Sequence, residues 1–279
     1  MTRCVVVLTD GLRPDAISRS LAPTLCALGD DYARAMRANT IRPSVTVAAL
    51  ASLATGVAPD THGLVQPGLG FLSGLGRLRP LPGELARHGY RTTVVAGVAG
   101  VAARHIGRAL CSCAGVSRMI TTDPDAGLVA EAAVAQLTRP ADELLFVYLS
   151  DCDRAGHEHG WMSEGYLAAV RRVDAAVGML TGWLEESTLL VVSDHGGGGV
   201  HAKDHDIEHP INERIPLIIA GEQVRRRLVI HRDVSLLDVP PTVLAALDLP
   251  VPPEYEGRAI TEAFQPRHTD MPMAARVAS

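Results

Sequence analysis

The chain has 279 residues, 47% of them hydrophobic, enough to bury a substantial core, so a folded globular protein is the starting expectation. With 26 Lys and Arg against 31 Asp and Glu the formal net charge is −5, and no basic run is long enough to follow a nucleic-acid polymer or an anionic membrane. The apolar run in MTRCVVVLTDGLRPD is too short for a signal-peptide core, no later segment is continuous enough to span a bilayer, and five cysteines without paired spacing argue against a disulfide framework. A cytoplasmic protein with reduced thiols is the expectation.

Taken in order, Arg3–Thr9 reads as a buried strand ending on Asp10, and Ala22–Leu28 as a helix. Thr46 precedes a helical run over Val47–Ala54 and so takes an N-cap position, where free N–H groups and the helix dipole favour negative charge; capping alone would account for a threonine there. Gln66–Pro80, rich in Gly and Pro, predicts a surface excursion near the site. A helix over Glu84–His88, closed by Gly89, leads into a strand at Arg91–Ala96, and Cys111 and Cys113 form a lone C-x-C read as an apolar turn. A strand at Leu144–Ser150 runs into Asp151 and Asp153. Tyr166–Glu186 carries Leu167, Val170, Val173, Val177, Leu180 and Leu184 on one face, the pattern of a crossover helix. Thr188–Ser193 reads as a strand ending at Asp194 and His195, followed by a glycine loop with His201, His205 and His209 and a strand at Ile215–Ala220. Ser235–Leu247 places Pro240 and Pro241 ahead of a short helix, and the chain from Phe264 reads as a frayed tail.

Aliphatic strands alternating with helices predict an α/β fold, a mostly parallel central sheet with helices on both faces. Residues 1–263 form one domain in this reading, and 264–279 a disordered C-terminal tail.

Ligands of such sheets bind beyond the carboxyl ends of the strands, and three strands here end in aspartate. Carboxylates converging there repel one another unless a cation joins them. His157, four residues after Asp153, reaches the same ion through a tight turn eased by Gly156, and Asp194–His195 adds a second Asp/His pair. Mixed nitrogen and carboxylate ligands suit zinc best, with manganese or iron also accepted. Two divalent ions against Asp10, Asp153 and Asp194 leave a positive, anion-attracting cage in an acidic protein. Amid such ligands Thr46 becomes a candidate nucleophile.

These residues resemble the alkaline phosphatase superfamily and, within it, the type I phosphodiesterase/nucleotide pyrophosphatase family. The resemblance runs from Asp10 through TVAALASLATGVAPDTHG, DRAGHEHG and SDHG to SLLDVPPTVL. It implies an alkaline-phosphatase-like fold and two metal ions, one held by Asp10, Thr46, Asp194 and His195. The other would be held by Asp153, His157 and a late histidine, His205 by its spacing from Ile215, with His201 second. It further implies hydrolysis of a small-molecule phosphate ester through a phospho-threonine on Thr46. The sequence departs from the family at Ala49, where an asparagine often meets a phosphate oxygen; Arg13 or Arg42 are the candidates to replace it. Around Thr46 the sulfatase signature is absent, and no stretch is long enough for the inserted domain usual in phosphomutases. A metal-binding module without turnover is the reading from a different class.

Overall fold

The computed structural model describes residues 3–65, 78–139, 141 and 143–266. Strands β1 (Arg3–Thr9), β2 (Ala33–Asn39), β3 (Arg91–Gly97), β4 (Arg118–Thr122), β5 (Glu143–Leu149), β6 (Ser187–Val192), β7 (Arg214–Ala220) and β8 (Leu228–Val229) form one sheet in the order β4-β3-β5-β1-β6-β7-β2-β8. Neighbours are parallel except where β7 joins β6 and β2. Around it lie α1 (Pro23–Asp31), α2 (Thr46–Thr55), α3 (Pro59–His62), α4 (Leu81–Arg87), α5 (Val101–Cys113), α6 (Ala126–Leu137), α7 (Asp151–His159), α8 (Glu164–Leu180), α9 (Pro210–Glu213) and α10 (Val239–Ala246). The α/β class expected from the alternation of patterns is therefore the observed one.

All seven residues of β1 are buried between β5 and β6, which is why its sequence is a continuous apolar run rather than an alternating one. The predicted strand ends shift by one residue at most. β2 and β4 were not anticipated. In ARAMRAN the inward positions Ala33, Ala35 and Ala38 are weak hydrophobes, and an irregularity between Ala35 and Ala38 breaks the period of two. β4 is an edge strand with no fully buried residue.

Several local expectations are corrected. α8 starts at a Ser163 cap, whose side chain accepts from the Tyr166 N–H, and stops at Leu180; Thr181–Trp183 turns as a 3-10 segment where Glu186 had been the expected end. Gly178 and Gly182 straddle that break and weaken the last turn. Cys111 and Cys113 lie in the last turn of α5, not in a loop, and all five cysteines are free. Phe264 and Gln265, assigned above to the tail, are held: Phe264 bridges Val224, and the Gln265 N–H donates to the Gln223 carbonyl at 2.9 Å. The excursion expected over Gln66–Pro80 lies outside the described residues up to position 77, as does the tail from position 267. Among the described residues no helix is long and apolar enough to cross a membrane.

Candidate active site

Because β5, β1 and β6 are neighbours, whatever follows their carboxyl ends meets in one place. Asp10 follows β1, Asp194 follows β6 after Ser193, and Asp153 sits in the first turn of α7 beyond β5. The Asp153 N–H donates to the Asp10 carbonyl at 3.0 Å. This approach requires Gly11, which lies at φ +69°; a Cβ there would stand 2.9 Å from the Asp153 Cα.

The carboxylates are held by one oxygen each way. Asp194 Oδ1 accepts from the Gly11 N–H at 3.1 Å and the His195 N–H at 3.0 Å, leaving Oδ2 facing His195 Nε2 at 3.6 Å. Tyr148 donates its hydroxyl to Asp10 Oδ2, leaving Oδ1 at 3.2 Å from His195 Nε2. Asp153 Oδ1 faces His157 Nε2 at 3.3 Å, His205 Nε2 at 3.6 Å and His195 Nε2 at 4.0 Å. The rings of His195 and His205 stack at 3.8 Å. Thr46 Oγ1 lies 3.2 Å from His195 Nε2.

Three observations fit this donor set to cations. First, Asp10 Oδ1, Asp153 Oδ1 and Asp194 Oδ2 are buried and have no hydrogen-bond partner, a costly arrangement unless something else meets them. Second, Nδ1 of His195, His205 and His157 faces the carbonyls of Gly196, Ser44 and Lys203 at 2.8, 2.9 and 2.9 Å. A carbonyl can only accept, so each Nδ1 carries its proton and each Nε2 points its other side at the carboxylates, the arrangement of metal-binding histidines. Third, Asp10, Asp194 and His195, and likewise Asp153, His195 and His205, bring one ligand atom apiece within 4.8 Å of one another. His157 stands outside that second trio but shares its Asp153 oxygen.

The electrostatics point the same way. Burial, followed by the charge on Asp194, holds the Asp10 carboxyl well above the usual range. Burial pulls the His195 pKa down, but the carboxylates of Asp194, Asp10 and Asp153 outweigh it and hold the imidazole up to about 10. Left to its own groups the cage shares protons; divalent cations would take their place. Burial and then the neighbouring His195 lower the His205 pKa, which favours the neutral ligand form.

The structure thus brings together Asp10, Thr46, Asp153, His157, Asp194, His195 and His205. His201 is exposed on a turn, and His209 caps α9 by accepting the Ile211 N–H; Asp151 is buried against Arg154 and Arg172. Three details differ from the sequence reading. Thr46 is the first residue of α2, not its cap: Val45 is the cap residue and makes no side-chain hydrogen bond, so the threonine hydroxyl is free to face His195. Asp153 and His157 meet as i and i+4 on α7, not through a tight turn. The glycine run is packed rather than flexible: a Cβ at Gly196 would collide with the Ile211 carbonyl, at Gly197 with the Trp161 ring, and at Gly199 it would come within 2.5 Å of the His209 ring. With the loop fixed, His205→Ala is expected to lower the amount of bound metal, and His201→Ala to leave it unchanged. Metal analysis after gel filtration checks both, and the reverse pattern would move the ligand four residues upstream.

Tyr148, Ser44 and Trp161 were not picked out from the sequence. Tyr148 interrupts an apolar strand with a hydroxyl, the one signal it gave. Ser44 makes a reciprocal pair with His205, donating its hydroxyl to the His205 carbonyl at 3.0 Å while its own carbonyl accepts from Nδ1.

The type I phosphodiesterase/nucleotide pyrophosphatase family matches residues 4–69 and 104–234, and the chain belongs to that family. Among curated relatives, the 2,3-bisphosphoglycerate-independent phosphoglycerate mutase of Thermosynechococcus vestitus is 27% identical over 180 residues, covering 58% of this chain and 33% of the mutase. The chain spans between about a quarter and a third of the length of such relatives. Among solved structures, murine ectonucleotide pyrophosphatase/phosphodiesterase 5, an inactive variant in complex with AMP, superposes with a TM-score of 0.73 at 13% identity, covering 95% of this chain and 100% of that one. A phosphonate monoester hydrolase from Silicibacter pomeroyi gives 0.73 at 14% identity, covering 98% and 78%. The fold is thus alkaline-phosphatase-like.

Proposed function

We propose that this chain is a two-metal phosphoric ester hydrolase that works through a phospho-threonine on Thr46 and prefers diesters. The observation that carries the reading is the placement of the Thr46 hydroxyl, 3.2 Å from His195 Nε2 at the first turn of α2 and beside three unpartnered carboxylate oxygens. Asp10, Thr46, Asp194 and His195 would hold one ion and Asp153, His157 and His205 the other. Bound divalent ions, zinc by ligand type, with manganese or iron as alternatives, supply a lowered pKa for the threonine hydroxyl and charge neutralisation for the phosphate oxygens. The Thr46 hydroxyl gives its proton to solvent and Oγ attacks phosphorus, forming the Oγ–P bond as one ester oxygen leaves with its electron pair and takes up a proton, while a diester's second ester stays on the phosphoryl group. Water then cleaves the phospho-threonine and returns the hydroxyl. The N-terminus of α2 adds its dipole and free N–H groups to the side where the anion sits.

Substrate class follows from what surrounds Thr46. A monoester dianion brings one more charged oxygen, which an arginine fork normally meets. Arg42 is instead drawn out by Glu208 at 2.5 Å and Glu213 at 2.9 Å, with 64% of its side chain exposed. Arg13 is committed to Asp15 and to the Gly197 carbonyl. Ala49 is fully buried and carries no donor. An esterified oxygen needs no such partner, so phosphodiesters, nucleotide pyrophosphates and phosphonate monoesters fit better than simple monoesters. A kcat/KM for bis-p-nitrophenyl phosphate above that for p-nitrophenyl phosphate is expected on one metal-loaded sample. A clear monoester preference, lost in Arg13→Ala or Arg42→Ala, would overturn the diester reading in favour of a phosphomonoesterase. Transfer to an alcohol instead of water would favour the mutase chemistry of the matched relatives.

A further inference from the structure

Trp161 stands where four ligand-bearing segments meet. Its indole lies edge-on to His157, with centroids 5.2 Å apart at 79°, and edge-on to His205, at 5.7 Å and 71°. The Nε1–H donates to the Gly11 carbonyl at 2.9 Å, one residue beyond Asp10, and the backbone N–H donates to the Ala202 carbonyl at 2.8 Å. Glycines make the slot that admits this ring. A Cβ at Gly156 would come within 2.5 Å of the indole and one at Gly198 within 2.8 Å of the Trp161 Cβ, while one at Gly197 would overlap the ring outright. The side chain is 6% exposed, so no substrate reaches it.

The contacts are lopsided. The indole touches two of the three side chains around Asp153 and has no ring contact with His195, the histidine nearest Asp10 and Asp194. His157 needs such support: its side chain is 46% exposed and is held by the Lys203 carbonyl at Nδ1 and by Asp153 at Nε2. A half-exposed imidazole on the last turns of a short helix is free to change rotamer unless something packs on its face.

We propose that Trp161 is the positioning residue for the ion position of Asp153, His157 and His205, holding both imidazoles from one side while its N–H ties them to the β1 end, and that its indole emission reports occupancy of that position alone. The proposal rests on the two-ion reading above. Filling the position changes the charge and hydrogen bonding of two rings edge-on to the indole, whereas filling the Asp10 position reaches it only through the Gly11 peptide that accepts its N–H.

The chain has two tryptophans, and Trp183 lies on the turn after α8, so Trp183→Phe leaves Trp161 as the sole tryptophan, excited selectively at wavelengths tyrosine does not absorb. Chelator-stripped Trp183→Phe protein titrated with zinc is expected to show an emission change that spans one of the two equivalents of ion taken up. The change should vanish in the added His205→Ala variant and persist in the added Asp194→Ala variant. In otherwise wild-type protein, Trp161→Ala is expected to weaken one of two ion affinities by about tenfold or more, the range seen for supporting shells of metal ligands, and to leave the other alone. Trp161→Phe, which keeps a ring in the slot but loses the N–H, should weaken the same position less. Unchanged affinity at both positions in Trp161→Ala, or in Trp161→Phe should the alanine variant not fold, overturns the proposal, as does emission that ignores the Asp153 position. A wild-type protein that itself takes up fewer than two ions overturns the two-ion reading, and the proposal with it.

Discussion

Thr46→Ala is expected to lower kcat/KM by on the order of 10⁴ to 10⁶-fold, the loss typical when a covalent nucleophile is removed from an otherwise intact site. The variant should keep its fold. Thr46 is the first residue of α2, it is partly exposed, and its side chain makes no cap hydrogen bond, so the stability change should stay within about 0.5 kcal/mol. Metal content should be close to that of the parent, because Asp10, Asp194 and His195 remain. Quenching the parent in acid during turnover of a diester should trap on Thr46 the phosphoryl group with its remaining ester, and the variant should trap none. Turnover within tenfold of the parent would reduce Thr46 to a helix residue beside the true nucleophile.

Stripping the metal should be as severe. With Asp10 Oδ1, Asp153 Oδ1 and Asp194 Oδ2 buried and otherwise unpartnered, chelation is expected to abolish turnover and to lower Tm, since the carboxylates are then left facing one another. Asp153→Ala removes the oxygen that faces three imidazoles and should cost about 10³-fold or more in kcat, the scale of several kcal/mol of charge stabilisation. Restoring activity with zinc, manganese and iron in turn identifies the ion. Fully active protein free of metal would sink the two-ion mechanism.

What could be read from the sequence divides along physical lines. β1, β5 and β6 were legible because strands buried on both faces are apolar throughout, and because each runs straight into an aspartate. β2 was not, since its inward residues are alanines and its register slips mid-strand. α6, AGLVAEAAVAQL, is apolar nearly all round and gives little contrast between faces. In the site, each Asp or His ligand candidate carries a titratable side chain next to a strand end or in a short histidine cluster, signals that survive without coordinates. Ser44, Tyr148 and Trp161 carry no such mark: what they do depends on which remote carbonyl or carboxylate the fold sets opposite them. The glycine run misled because glycine reads as freedom, whereas here each missing Cβ is volume occupied by a neighbour.

The contact between Gly11 and Asp153 has a bearing on how such a site can diverge. Asp10 and Asp153 sit on peptide units joined by a 3.0 Å backbone hydrogen bond, and a Cβ on Gly11, the residue after Asp10, would already force the two segments apart. Their separation is therefore fixed by main chain, not by rotamers that a single substitution could reset. Side chains elsewhere around Thr46 can change without touching that spacing. The geometry of the acidic cluster is in this sense written into the main chain where two strand ends meet, so point changes in the surrounding side chains leave the interval between Asp10 and Asp153 intact.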